Sequence, residues 1–296
     1  MENLLIVGAG DVARRALPLL LPRYRVYALT RDHFHAEQLA SAGVGPIVGD
    51  LDQPDTLAPL AMLAKLPLRV AHLAPPPDHG SADTRTQNLL AAIGQSMVAQ
   101  GAMATGVRHV VYVSTSGVYG DCAGARVTES RAVNPATDRA RRRVAAESAI
   151  NAWGDAHGAR VTILRVPGIY APDRLPLERL KRGTPVLRAV DDVYTNHIHA
   201  DDLAAILAQA INDDAAGGIF NASDDSEIKM GDYFDMVADR YGLARPPRVS
   251  RAEANAQIPA MLLSFMSESR RLVNRRMKDE LNVTLRYPTV YEGVVK

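Results

Sequence analysis

In the first half of the chain, short runs that are apolar on both faces alternate with longer stretches whose apolar positions recur at helical spacing. A strand covered by helices on both sides shows such runs, so the alternation predicts a parallel sheet between two helical layers. Strands are expected from Leu4 to Val7, Arg25 to Leu29, Val44 to Val48, Leu68 to Leu73, His109 to Val113 and Arg160 to Val166. Helices are expected from Asp11 to Leu21, His35 to Ala42, Pro54 to Lys65, Ala82 to Thr105 and Ala136 to Ala156. Gly43 can close the second helix, Pro54 suits the first turn of the third, and Ala74-Pro75-Pro76-Pro77 can continue neither a ladder nor a helix. With right-handed crossovers this order makes a doubly wound α/β fold.

Beyond Pro167 the alternation decays. Prolines at 172, 176 and 185 and the charged stretch from Asp173 to Arg182 predict excursions over the sheet. Order returns from Asp201 to Ile211 and from Asp232 to Tyr241, read as helices, and from Gly218 to Asn221, read as a short strand. We expect one domain over residues 1–168 and a smaller, mostly helical C-terminal subdomain over 169–296, with the chain crossing back near 195–225.

With 296 residues, 47% of them apolar, the chain has material for a substantial core. A formal net charge of +1 speaks against nucleic acid as a partner, because domains that bind it are usually strongly basic. The basic run Arg139, Arg141, Arg142 and Arg143 reads as the solvated face of a helix whose alanines and Val144 point inward. No uncharged apolar run is long enough to cross a membrane, and no basic leader with a cleavage site precedes the first strand, so a cytoplasmic protein is expected. The single cysteine, Cys122, cannot form an internal disulfide and reads as a small loop residue, with Arg126 the one neighbour able to lower its pKa.

The chemistry begins where the first strand ends. Gly8-Ala9-Gly10-Asp11-Val12-Ala13 follows that strand and opens a helix. Gly8 can turn tightly, Gly10 lets a pyrophosphate approach the backbone and the helix N-terminus, and Ala13 lets helix and strand pack closely. A dinucleotide on a Rossmann-type sheet is what this pattern serves. The second strand ends Leu29-Thr30-Arg31, a hydroxyl and a guanidinium suited to a 2′-phosphate, which favours NADP. NAD stays open, since Asp32 could hold the ribose instead. Asp50, in Gly49-Asp50-Leu51, is placed for the adenine amino group or for a turn or cap. His197 and His199 share a face beside Asp201 and Asp202; a metal site there is conceivable, but Asp201 also reads as the N-cap of the next helix, and no metal is assigned.

These segments resemble the extended short-chain dehydrogenase/reductases, the NAD-dependent epimerase/dehydratase-like class. The likeness spans nearly the whole chain and continues through Val113-Ser114-Thr115-Ser116-Gly117-Val118-Tyr119-Gly120-Asp121, Leu164-Arg165-Val166-Pro167-Gly168-Ile169-Tyr170, Asn196-His197-Ile198-His199-Ala200-Asp201-Asp202 and Phe220-Asn221-Ala222-Ser223-Asp224. It implies that Thr115 holds a substrate oxygen. The cofactor-binding set it suggests adds Leu51, Leu73, Ala74, Ser114, Arg143, Val166 and Pro167 to Gly8, Gly10, Asp11, Val12, Ala13, Thr30, Arg31 and Asp50. It also implies a Tyr-x-x-x-Lys pair on the helix after the fifth strand; counted back from Glu147, those positions hold Arg139 and Arg143. An arginine at the lysine position can hold the nicotinamide ribose. At the tyrosine position it cannot act as a general base, because its pKa lies above about 12. The chain thus resembles an atypical branch that lacks the tyrosine. Tyr119 is the first candidate for a substitute acid and Tyr170 the second, although an aromatic at such a place is more often a packing residue.

Two functions follow. One is an NAD(P)-binding oxidoreductase, or a sugar-nucleotide epimerase/dehydratase-like protein, working by hydride transfer on a small carbonyl or sugar substrate polarised by Thr115. The other is a catalytically inactive NADP-binding sensor. The chain is expected to be a monomer or a homodimer, the family's dimer face being the helices near 82–105 and 136–156.

Overall fold

In the computed structural model, which describes residues 1–98, 106–214 and 217–295, seven parallel strands form the main sheet. They are β1 (Glu2–Val7), β2 (Tyr24–Thr30), β3 (Gly45–Val48), β4 (Leu68–His72), β5 (Val107–Thr115), β6 (Arg160–Val166) and β7 (Gly218–Asn221), in the spatial order 3-2-1-4-5-6-7. β1 pairs with β2 on one side and β4 on the other, so the strand order reverses at β1. That reversal opens a crevice at the carboxyl ends of the strands, where ligands bind in folds of this kind.

Helices cover both faces: α1 (Asp11–Leu20), α2 (His33–Ser41), α3 (Ala58–Leu63), α4 (Thr84–Val98), α5 (Asp138–His157), α6 (Ala200–Asn212) and α7 (Met230–Tyr241). Alternate residues of β1 serve opposite layers, as the strand's period of two requires. Leu4 and Ile6 join Ala16 and Leu20 of α1 and Leu203 and Leu207 of α6. Leu5 and Val7 join Leu60 of α3, Leu89 and Ile93 of α4 and Ile150 of α5. Each of these leucine, isoleucine and valine side chains contributes about 1.5–3 kcal/mol by leaving water. A further core, with Tyr170, Val186, Phe234, Val237 and Val290, lies under α7.

Local chemistry explains several element ends. The Thr137 hydroxyl caps α5 by accepting the Ala140 N–H at 3.2 Å, and Gly158 closes the helix in the left-handed conformation. The third helix is shorter than the sequence pattern suggests, because Pro54–Leu57 forms a tighter 3-10 turn ahead of it. The fourth is seen from Thr84 to Val98, and the rest of its expected span, 99–105, lies outside the described residues. Asp201 is not the cap of α6. His197–His199 pairs with Gly168–Tyr170 and stays extended, so the helix starts at Ala200 and the His199 ring nitrogen accepts the Asp201 N–H at 3.2 Å. Among the described residues, no helix is long and apolar enough to cross a membrane.

The basic run on α5 departs from a solvated face. Arg141 is exposed and pairs with Asp138, but Arg142 is buried and donates to the Gly80 carbonyl, and Arg143 is half-buried against Tyr112. This helix lies where buried polar groups at the ends of β5 and β6 need partners, and it brings Glu147 inward to meet Ser114 and Arg165.

Buried titratable groups set a pH dependence. Burial drives His72, His109 and His197 down to about 3 and pushes Asp224 up to about 8. The histidines are neutral when folded, whereas the unfolded chain takes up protons below about 6.5, so stability falls as pH drops from there towards 3. Asp224 keeps its proton when folded while the unfolded carboxyl loses it near 4, so its contribution falls as pH rises from about 4 to 8. Below about 6.5 three histidines outweigh one aspartate. The urea midpoint should therefore peak near pH 6.5, and Asp224→Asn should flatten the decline towards pH 8; a wild-type midpoint still climbing at pH 8 would contradict this assignment.

Candidate functional site

The turn after β1 works through two different glycines. Gly8 has a φ of +98°, and a Cβ there would lie 2.5 Å from the Ala74 nitrogen. It is the bare backbone that lets the segment after β4 close on β1, with the N–H groups of Leu73 and Ala74 donating to the Val7 carbonyl at 2.7 and 2.9 Å. Gly10 is the N-cap of α1 and supplies no side-chain cap, and a Cβ on it would meet nothing within 4 Å. The first turn of α1 thus has no side-chain cap and lines a cleft through Gly10, Asp11, Val12 and Ala13, an arrangement able to accept a phosphate.

Three clefts run along this edge of the sheet. The first, of about 300 Å³, is lined by Gly8, Gly10, Arg14, Thr30, Arg31, Asp32, His35, Asp50, Leu51 and Ala74, among others. Asp32 is spent within it as the N-cap of α2: its carboxylate accepts the His35 N–H at 2.8 Å and lies 2.7 Å from the His35 ring nitrogen. These bonds hold its carboxyl below the usual range. Among the described residues no ion pair engages Arg14 or Arg31, whereas Arg85 on the same rim is paired with Asp52 at 2.6 Å. Asp50 makes a turn, accepting the Asp52 N–H at 3.0 Å, and still lines the cleft.

The second cleft, of about 330 Å³, is lined by Gly10, Asp11, Val12, Ala13, Leu73, Ser114, Thr115, Arg143, Val166 and Pro167 with several neighbours. Asp11 is held by Arg15 at 2.9 Å and Arg174 at 3.1 Å. Arg143 is anchored at the end of β5, donating to the Tyr112 hydroxyl at 2.9 Å and the Val113 carbonyl at 3.0 Å. Burial pushes the Tyr112 phenol up to about 12. The Ser114 hydroxyl donates to Glu147 at 2.5 Å.

The third cleft, of about 220 Å³, is lined by Thr115, Arg139, Pro167, Tyr194, Asn196, Met230, Phe265, Glu268 and Arg270, among others. Thr115 and Pro167 belong to both the second and the third. The Thr115 oxygen accepts the Gly117 N–H at 3.2 Å, so a lone pair is used and its O–H can point to a ligand.

Neither substitute acid reaches these clefts. Tyr119 lies in the 3-10 turn Ser116–Tyr119 and is only 1% exposed; its hydroxyl donates to Asn221 at 2.8 Å and its ring sits under the Arg165 guanidinium. Burial raises its pKa. Tyr170 is equally buried and donates to the Thr289 carbonyl at 3.3 Å. The expectation that Tyr119 faces a substrate is corrected by this placement: the tight turn rolls the ring inward onto Val127 and Leu272. The phenol that does line the third cleft is Tyr194, brought there by the antiparallel pairing of Tyr194–Thr195 with Ile228–Lys229. No local motif marks it or Arg270, since both arrive through long-range contacts.

His197 stacks on Tyr233 at 4.2 Å and His199 caps α6, and among the described residues no group of three or more metal-ligating side chains occurs. Cys122 is buried, and burial raises its thiol pKa.

A model of the NAD dependent epimerase/dehydratase family matches residues 4–223. No curated protein matches the chain. Among solved structures, a conserved protein from Silicibacter pomeroyi DSS, described as functionally unknown, is 28% identical with a TM-score of 0.77 over 99% of this chain and 96% of that one. UDP-glucuronic acid 4-epimerase from Bacillus cereus, in complex with NAD, is 16% identical with a TM-score of 0.74 over 98% of this chain and 95% of that one. Thermus thermophilus UDP-glucose 4-epimerase, also with NAD, is 21% identical with a TM-score of 0.73 over 98% and 96%. The two epimerases share the fold of this chain.

Proposed function

Because the chain belongs to the NAD dependent epimerase/dehydratase family, we propose that it is an oxidoreductase that binds NADP in preference to NAD and exchanges hydride with a carbonyl or hydroxyl carbon of a small molecule. The observation that carries this reading is the continuity of the three clefts: the first and second share Gly8 and Gly10, and the second meets the third at Thr115 and Pro167, which joins a groove along the strand ends to a separate pocket. The two epimerases act on UDP-sugars by their names, which brings sugar derivatives into the candidate substrates.

When bound, the dinucleotide supplies or accepts the hydride. Its pyrophosphate would rest on Gly10 and the open N-terminus of α1. Thr30 and Arg31 would take the 2′-phosphate, a reading supported by the engagement of Asp32 with His35. Arg143, anchored on Tyr112 and Val113, has further N–H groups for the nicotinamide ribose. Thr115 would donate to the substrate oxygen, and Tyr194 is the phenol placed to exchange a proton in the same cleft. A second reading, a sensor that binds NADP without turnover, is favoured by the seclusion of Tyr119 and by arginine at the two positions where the resemblance puts tyrosine and lysine.

Fluorescence titration with NADPH and NADH tests the first step. Arg31→Ala should weaken NADPH binding roughly ten- to a hundredfold, the contribution of a charge-assisted hydrogen bond, and leave NADH within about twofold. NADPH oxidation is then followed with a panel of ketones, aldehydes and sugar-nucleotides, where Thr115→Val should lose more than about tenfold in turnover at unchanged NADPH affinity. Binding without oxidation across the panel leaves the sensor; no NADPH binding rules out both.

A further inference from the structure

The third cleft carries more positive charge than its own residues neutralise. Arg139 and Arg270 line it against one carboxylate, Glu268. Glu268 is already taken, 2.8 Å from Arg270, which also donates to the Gly120 carbonyl at 2.7 Å. Arg139 has no ion pair among the described residues, since the neighbouring Asp138 is bound by Arg141 at 2.6 Å. Its guanidinium instead lies 4.5 Å over the ring of Phe265. A guanidinium resting on an aromatic face keeps its in-plane N–H groups available, and these match the two oxygens of a carboxylate. Arg139 also stands in the first turn of α5, a 20-residue helix whose positive end adds to the attraction for an anion.

Other polar groups in the cleft are less free. The Asn196 amide is used at both ends, donating to the Arg270 carbonyl at 2.9 Å and accepting the Leu272 N–H at 2.8 Å. Thr115 keeps a donor, and Met230 and Phe265 add apolar surface.

We infer that the substrate is a carboxylic acid whose carboxylate lies next to the reacting carbon, a 2-oxo acid or its 2-hydroxy counterpart, with Arg139 as the residue that binds the carboxylate. Thr115 holds the adjacent oxygen, and an apolar substituent rests on Met230 and Phe265. The part concerning the reacting oxygen rests on the oxidoreductase reading; the carboxylate site does not. The arginine at the position where the resemblance puts a tyrosine is then a specificity determinant.

The test compares benzoylformate with its methyl ester, which has the same ketone and ring but no charge. Binding is measured calorimetrically with and without saturating NADP⁺, in the wild type, Arg139→Gln and Arg139→Lys, with thermal melts confirming that the variants fold. The acid should bind at least about tenfold tighter than the ester, and high salt should shrink the difference. Arg139→Gln should abolish the preference, and Arg139→Lys should keep part of it because the charge stays and the fork is lost. Equal binding of acid and ester, no binding of the acid, or an undiminished preference in Arg139→Gln overturns the inference. NADPH oxidation is read separately. An acid bound through Arg139, with no oxidation of NADPH by it or by any member of the carbonyl panel, sustains the carboxylate site and rejects the oxidoreductase reading; reduction of the ester and other neutral ketones without preference for acids does the reverse.

Discussion

Glu147→Gln should destabilise the protein by about 3–5 kcal/mol and lower its thermal midpoint by roughly 10 °C. The Glu147 and Arg165 side chains are 7% and 4% exposed and meet through two contacts, at 2.7 and 3.2 Å. The amide keeps the shape of the carboxylate but leaves the Arg165 guanidinium with an uncompensated charge beneath the surface, and removing one partner of such a pair costs far more than the pair itself contributes. The damage should spread to function, because Glu147 also fixes the Ser114 hydroxyl at the wall of the second cleft and Arg165 lies over Tyr119 at 4.7 Å. Replacing both charges, as in the double variant Glu147→Leu with Arg165→Met, should recover much of the loss, since no lone charge is then buried. Urea unfolding of the single and double variants checks both statements; a loss under about 1 kcal/mol in Glu147→Gln would mean that the pair is hydrated in solution.

Gly8→Val should reduce dinucleotide affinity at least about a hundredfold, or about 2.7 kcal/mol. A side chain at a φ of +98° carries strain of roughly 1–2 kcal/mol, and its Cβ would sit 2.5 Å from the backbone nitrogen of Ala74, which no rotamer can relieve. Relaxation has to push Ala74 away from Val7, breaking the bonds that align the end of β1 with the segment after β4, on the wall of the first cleft. Gly10→Ala is the control, because a Cβ there meets nothing within 4 Å of the protein itself. It should fold normally and weaken only ligand binding. NADPH titration together with thermal melts separates the two, and wild-type affinity in Gly8→Val would show that the turn does not shape the site.

Much of the site was legible because it sits close to strand ends that the sequence pattern marks. Gly8, Gly10, Thr30, Arg31, Asp50 and Ala74 fall at or just after strands and line one cleft together. Ser114, Thr115, Val166 and Pro167 do the same for the second. The burial of Tyr119 is not legible in its motif, which says which residues follow β5 but not which way a 3-10 turn rolls them. Once folded, Asn221 from the far end of the sheet accepts its hydroxyl at 2.8 Å, a partner 102 residues away. The arginines of α5 depart from the expected solvated face for a related reason. Helical spacing separates an apolar face from a polar one, but it is blind to the strand groups that draw Arg143 and Glu147 inward and to the Gly80 carbonyl, in the segment between β4 and α4, that holds Arg142.

What the sequence by itself determined is the set of properties governed by near neighbours: the doubly wound order of strands and helices, the glycine turn at the helix N-terminus, and the arginine after β2. Periodicity, positive φ and missing side chains act within a few residues, so they can be read along the chain. The tertiary structure alone decided that Tyr119 faces Asn221 and that Tyr194 and Arg270 share a pocket with Thr115 and Arg139. Hydrogen bonds, ion pairs and pocket walls are made between segments that only packing of the whole chain brings together, and the availability of a side chain for chemistry depends on those partners.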